Sequence, residues 1–244
     1  KVGLKEKMGM GVGFGLKKSI EKGILSEDLM TSSMMLTAAA SDARMSGLNL
    51  SVMSSSGSGN NGLTAILPLV AYKNKYNISD EKLAKAVAIS HITNSYIKHY
   101  IGRLSSLCAC GVAAGTGAGI AIAWLMHASY DQIDGVIKNT IANTSGMICD
   151  GAKEGCALKL STSASVAVQS AILAINNSIV PARNGIVAET AEDTIKNLGI
   201  LAVGGMSIAD TVILKTMKKM QREYDTTEAD KNSEVYLKKQ GIIA

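Results

Sequence analysis

Along most of the chain apolar residues recur every three or four positions, the period of an amphipathic helix, and convincing two-residue alternation is confined to fragments such as SGLNLSV. The clearest case is EKLAKAVAISHITNSYIKHYI, so residues 80–101 are predicted helical, with Ser79 as N-cap and Glu81 and Lys82 close behind. Residues 26–40, SEDLMTSSMMLTAAA, open with a serine and two acids, a cap and charges suited to a helix dipole. Further helices are predicted over 63–76, where Pro68 marks a kink or a turn boundary, and over 107–126, 131–148, 156–177, 188–206 and 207–222.

Between these segments, 41–62 (SDARMSGLNLSVMSSSGSGNNG) is too rich in Gly and Ser for regular structure, and NNSIVPARNG at 176–185 is a second loop. Long structureless loops in compact domains are usually functional or disordered. The chain therefore reads as a single all-α domain over 1–222, with buried Ala/Gly-rich central helices and one long Gly/Ser-rich loop. A polar tail over 223–244 follows.

Composition agrees. Hydrophobic residues make up 47% of the chain but aromatics only 4%, so the core is built from Ala, Ile, Leu, Val and Met, which favours close helix packing. The uncharged run LCACGVAAGTGAGIAIAWLM, 107–126, has the length of a bilayer span and carries small residues at four-residue spacing. It is Gly- and Ala-rich and lacks basic or aromatic flanks, so a buried helix and no membrane is the expectation. The N-terminus has no apolar signal core, which points to a cytoplasmic location, and the opening Lys points to a trimmed or partial product. The net charge of +5 is mixed with acids along the chain, without aromatic platforms between the basic residues, so no nucleic-acid partner is expected.

Chemistry concentrates at four cysteines. Cys149 and Cys156 bracket DGAKEG, and Cys108 and Cys110 lie upstream. On one helix, Cys149 and Cys156 would stand roughly 10.5 Å apart at a rise of ~1.5 Å per residue. Asp150, Gly151 and Gly155 suggest a loop instead, which brings the sulfurs together and aims the N–H groups of the next helix at them. Three readings stay open on spacing: small buried hydrophobes, structural zinc, for which the spacing is unusual and no His is near, and an iron–sulfur cluster fed by separate loops. Three cluster ligands would leave one iron free to act as a Lewis acid.

Upstream, SSSGSGNNG offers Ser56, Ser58, Asn60 and Asn61 around glycines that admit close backbone approach to a carboxylate, or else a flexible linker. No Gly-Lys-Ser/Thr follows, so it is not a P-loop. Asp42 and Arg44 either pair at a helix end, anchor that loop or touch substrate. His91 is a core histidine or a proton carrier. Lys153 and Lys159 flank the cysteine loop, and Arg103 is placed to cap the helix before it.

Three segments, SDARMSGLNLSVMSSSGSGNNGLTAILP, RLSSLC and SGMICDGAKEGCALKLSTSAS, resemble the UPF0597 family, which includes L-cysteine desulfidases. That family is similar to the α-chain domain of iron–sulfur L-serine dehydratases, and the resemblance runs from about residue 8 to 217. It implies an all-α catalytic domain with a [4Fe–4S] cluster on Cys108, Cys149 and Cys156, leaving Cys110 outside the ligand set. It also implies a substrate loop at the Gly/Ser-rich run. The implied reaction is β-elimination from a small L-amino acid: L-cysteine to hydrogen sulfide, ammonia and pyruvate, or L-serine with water as the leaving group. Family members carry an N-terminal half without counterpart here, including a cysteine implicated as base. The chain is therefore expected to be a fragment or one subunit, working with that half, a partner subunit or a second copy. The alternative is a non-catalytic helical subunit or scaffold.

Overall fold

The computed structural model describes the backbone of residues 1–239 and the side chains of residues 1–224. Among the described residues the fold is all-α, with ten α-helices and no strand: α1 (Val2–Lys5), α2 (Val12–Glu21), α3 (Leu29–Met45), α4 (Gly59–Tyr76), α5 (Asp80–Ile101), α6 (Gly115–Leu125), α7 (Tyr130–Thr144), α8 (Cys156–Ile175), α9 (Ala191–Ile200) and α10 (Ser207–Lys239). Short π-helical turns, Cys110–Ala114 and Leu201–Gly205, precede α6 and α10.

The helices start where the sequence supplies an acceptor for their first free N–H groups. Asp28 and Thr31 form a reciprocal capping box on α3, and Ser129 and Gln132 do the same on α7. Ser58, Ser79 and Thr190 cap α4, α5 and α9. α6 and α8 form the centre: α8 packs on α3, α6 and α7, while α6 is enclosed by α5, α7 and α8. Ala164, Ala167, Ala171 and Ala174 of α8 and Ala118, Ala121 and Ala123 of α6 are fully buried, so the helix backbones approach closely. Gly117 shows how closely: a Cβ there would lie 2.4 Å from the Ser90 carbonyl oxygen of α5.

The structure refines several boundaries. Residues 1–25 contain two further helices that pack on α3. α3 continues through Asp42 and Arg44 to Met45, and α4 begins at Gly59, inside the Gly/Ser run. Pro68 lies buried within α4 and does not end it; lacking an N–H, it removes only the bond to the Thr64 carbonyl.

The uncharged run does not begin as a helix. Leu107 pairs in an isolated bridge with Ile148, Cys108 N–H donates to Met147 C=O (2.8 Å) and Cys149 N–H to Ser106 C=O (2.7 Å). This pairing also ends α7 at Thr144, four residues before the expected 148. The last helix runs on past 222 to Lys239; residues 240–244 of the expected tail lie outside the described residues.

α8 is long and apolar enough by composition to cross a membrane, and so is the bent pair Ala191–Gly205 with Ser207–Tyr224. In α8, 56% of the most apolar stretch is buried within the fold, as a core helix requires.

Candidate functional site

One wall of the site is the turn that leads into α4. Ser55 and Ser58 exchange backbone hydrogen bonds (3.0 and 3.1 Å), with Ser56 at φ 47° and Gly57 at φ 80° between them. Two successive left-handed residues make this a type I′ turn, which glycine accepts without strain. Its polar groups are held by one face of α5, at positions i, i+3, i+4 and i+7. His91 Nδ1 shares a 2.8 Å hydrogen bond with Ser55 Oγ, and Asn94 Nδ2 donates to the same oxygen at 2.8 Å. Ser95 Oγ meets Ser56 Oγ at 2.8 Å, and Lys98 Nζ donates to the Ser56 carbonyl at 3.1 Å. Asn61 Nδ2 donates to Asn94 Oδ1, which ties the first turn of α4 into the same network.

The opposite wall carries the cysteines. The pairing of 106–108 with 147–149 sets Cys108 opposite Met147 and Cys149 opposite Ser106, and Cys156 is the first residue of α8. All four cysteines are free thiols. Cys156 Sγ is approached by the Lys153 N–H at 3.4 Å. Cys110, on the π-helical turn, donates to Asn61 Oδ1 at 2.9 Å and so joins the two walls. The neighbouring Cys110 thiol, more than the nearby Lys159 charge, pulls the Cys108 pKa down. Cys108 in turn, together with burial, pushes Cys110 up.

Asp150 forms ion pairs with Lys153 and Lys159, and Lys159 Nζ also donates to the Ile148 carbonyl at 2.8 Å. These contacts, Lys153 first, hold the Asp150 carboxyl at about 2. Burial works against the charge on Lys159, but Asp150 outweighs it and the Lys159 pKa rises.

Between the walls lies a cavity of about 530 Å³. Cys108, Cys149 and Cys156 line it together with Cys110, Ser58, Asn60 and Asn61, and Ile213, Leu214 and Met217 of α10 give it an apolar side. Four cations also line it: Arg44, Lys98, Arg103 and Lys159. Arg44 Nη1 donates to Asn60 Oδ1 at 3.0 Å and packs on Gly59, while Arg103 packs on Gly57. Among the described residues, Arg44, Lys98 and Arg103 have no carboxylate within ion-pair distance, although Lys98 and Asn60 are more than nine-tenths buried.

Most of the residues expected at the site thus stand on one cavity, but three do not. Asp42 is fully buried and accepts from Gly13 N–H at 2.9 Å, at the start of α2. Its carboxylate caps that helix, does not line this cavity and makes no ion pair with Arg44; burial raises its pKa. Ser56 presents its carbonyl to Lys98 and its hydroxyl to Ser95 and Asn94, outside the cavity lining. His91 lies behind Ser55, outside the cavity lining, and holds the turn through Ser55 Oγ; burial lowers its pKa. Arg103, expected to cap α5, packs on Gly57 of the Ser55–Ser58 turn instead. Lys98 was missed, although the polar stripe His91–Asn94–Ser95–Lys98 is visible on a helix whose other faces are largely apolar.

Among the described residues no three His, Cys, Asp or Glu side chains converge on one point that could hold a single metal ion. The three thiols are instead distributed around one cavity. The Lys159 charge stands beside Cys108, so thiolates are the form in which these donors would be held.

The family model described as "Serine dehydratase alpha chain" matches residues 3–215. The chain belongs to this family. It is also 67% identical over 219 residues to a UPF0597 protein of Alkaliphilus oremlandii, covering 90% of this chain and 51% of that protein. To a UPF0597 protein of Clostridioides difficile it is 60% identical over 220 residues, covering 90% and 52%. The serine dehydratase alpha-type chain thus spans about half the length of the curated relatives it matches. No solved structure matches it.

Proposed function

We propose that this chain carries the catalytic site of an iron–sulfur lyase that β-eliminates a small L-amino acid. L-Cysteine is the first substrate, giving hydrogen sulfide, ammonia and pyruvate, and L-serine the alternative. One observation carries the reading: three cysteines from separate segments line the same cavity as Arg44, Ser58, Asn60 and Asn61.

Cys108, Cys149 and Cys156 would hold a [4Fe–4S] cluster. When bound, the cluster supplies Lewis acidity for a poor leaving group through the iron that has no protein ligand. The remaining work falls to the chain's own side chains. Arg44 offers a planar guanidinium for the substrate carboxylate. Ser58, Asn60 and Asn61 present donors and acceptors from the first turn of α4, where free backbone N–H groups add partial positive charge. Ile213, Leu214 and Met217 limit water on the α10 side. Lys159 adds positive charge close to the thiolates. The rest of a longer protein, a partner subunit or a second copy would complete the enzyme, and we place it in the cytoplasm.

The test is anaerobic reconstitution with iron and sulfide, followed by sulfide and pyruvate assays with L-cysteine and L-serine. Wild-type chain is expected to gain the broad visible absorbance of a cluster and to turn over one of the two. Changing Cys108, Cys149 or Cys156 to Ser is expected to remove both signals, and Cys110→Ser is expected to keep them. Full turnover in Cys149→Ser would refute the ligand assignment.

A further inference from the structure

α10 lines the cavity, yet it is attached to the fold near one end. It meets the other helical elements chiefly at the π-helical turn Leu201–Gly205, and the chain bends by 50° at Met206, between Ala191–Gly205 and Ser207–Tyr224. Met206 is the fixed point. Its side chain packs on the core, its N–H donates to Leu201 C=O at 2.9 Å, and its carbonyl accepts from Ser106 Oγ at 2.9 Å. The turn before it is less supported: a Cβ on Gly204 would meet nothing within 4 Å.

From Met206 the helix runs along the cavity and gives it Ile213, Leu214 and Met217. Met217, roughly 16 Å further on at ~1.5 Å per residue, comes to rest on the cysteine loop. A Cβ on Gly151 would lie 3.8 Å from its Cε. Leu214 and Met217 nonetheless stay 56% and 41% exposed. Tertiary packing supplies most helical stability in proteins, and α10 has little of it beyond its two ends.

Ser106 is where this strap and the cysteines meet. It is buried; its hydroxyl holds Met206 while its carbonyl accepts the Cys149 N–H at 2.7 Å, and Cys108 follows two residues later. We propose that Ser106 is a positioning residue that latches α10 to the paired segments carrying Cys108 and Cys149. A group bound at the cysteines and closure of α10 over it then stabilise each other, since coupling of this kind is reciprocal. Closure holds Ile213, Leu214 and Met217 against the bound group and keeps water from it. The inference rests on the lyase reading only for what fills the cavity.

Two measurements on the 244-residue chain test this. The first is amide hydrogen exchange of the metal-free protein. Ser106→Ala removes the hydroxyl and leaves the carbonyl that pairs with Cys149. The amides of 210–217 are expected to exchange roughly 2–10-fold faster than in wild type, the range set by one net hydrogen bond. Cys149 and the 164–171 amides of α8 are expected to keep their wild-type rates. Unchanged exchange over 210–217 overturns the latch. So does equal acceleration in α8, which would mean a general loosening of the fold.

The second is limited trypsin digestion at the exposed Lys215 and Lys218. Reconstitution of wild type with iron and sulfide is expected to slow cleavage roughly fivefold or more, the low end of ordinary coupling between sites. Ser106→Ala, loaded with the same iron and sulfide, is expected to lose most of that slowing. Met217→Ala, which removes the contact on Gly151 and leaves the pivot, is expected to lose part of it. Equal slowing in wild type and Ser106→Ala overturns the proposal. A wild-type chain that takes up no cluster sinks the lyase reading instead, and the exchange measurement still decides on the latch.

Discussion

The two loops that face each other across the cavity are held in opposite ways. The Ser55–Ser58 turn is locked largely by uncharged hydrogen bonds, with Asn94 fully enclosed and Ser55 nearly so, and Lys98 adds a cationic donor to the Ser56 carbonyl. The cysteine loop, 149–156, is mostly exposed and depends on one carboxylate shared by two lysines. Buried neutral networks fix geometry because any unmade bond is costly. Partly exposed ion pairs contribute little. The Ser55–Ser58 turn is therefore preformed, and the cysteine loop is the less firmly held of the two, in keeping with thiols that share a cavity without converging on a point.

The largest effect is expected from breaking the locked side. Asn94→Ala removes the donor to Ser55 Oγ and the acceptor for Asn61 Nδ2, all of them buried. Ser55 Oγ keeps its bond to His91, but Asn61 Nδ2 is left unpaired, which should cost about 1–3 kcal/mol. For a chain of this size that is a fall in Tm of roughly 2–12 °C in a thermal melt. A change below 1 °C would show that the turn does not depend on α5.

A smaller contrast is expected in amide exchange of the metal-free chain. Ser55 and Ser58 N–H groups bond each other's carbonyls, whereas the 150–152 amides have no such backbone partner among the described residues. The first pair should exchange at least roughly tenfold more slowly, a difference of about 1.4 kcal/mol in opening. Reconstitution with iron and sulfide should slow 150–152 and leave Ser55 and Ser58 unchanged. Equal rates in the metal-free chain would erase the distinction between the walls.

How much of this could be read in advance differs between the same two regions. The helices were legible from their apolar period, and Ser79 caps α5 as expected; α3, however, is capped by Asp28 rather than by the serine that opens its segment, and Thr190 caps α9 two residues inside the stretch expected to be helical. The choice of Cys108, Cys149 and Cys156 as a set rested on a family resemblance, since spacing left buried thiols, zinc and a cluster open. What was hidden is the pairing of 106–108 with 147–149. Each segment contributes too few residues for alternation to register, and both border strongly helical runs.

The role of His91 was hidden for a different reason. A histidine near apolar neighbours suggests a catalyst or a core residue, and only the fold shows that Ser55 lies against it. The polar stripe from His91 to Lys98 was readable as a helix face. Its partner, a turn some forty residues upstream, was not, because nothing local couples the two.

The smallest expected effect tests the looser wall. Asp150→Asn removes the charge that Lys153 and Lys159 share but keeps the side chain's size. The Asp150 side chain is 31% exposed and Lys153 is 44% exposed, so solvent screens the pairs and a loss below about 1 kcal/mol is expected at neutral pH. The pH dependence identifies the cause. The folded-state pKa of about 2 lies below the ordinary 3.8. The stabilisation is therefore complete above pH ~4 and disappears as pH falls through 2. Wild type and Asp150→Asn should differ in denaturation midpoint above pH ~4 and converge below it. A difference that persists at pH 2 would mean that the substitution acts through packing or a lost hydrogen bond. The cysteine loop would then be held by the same kind of neutral contact as the turn it faces.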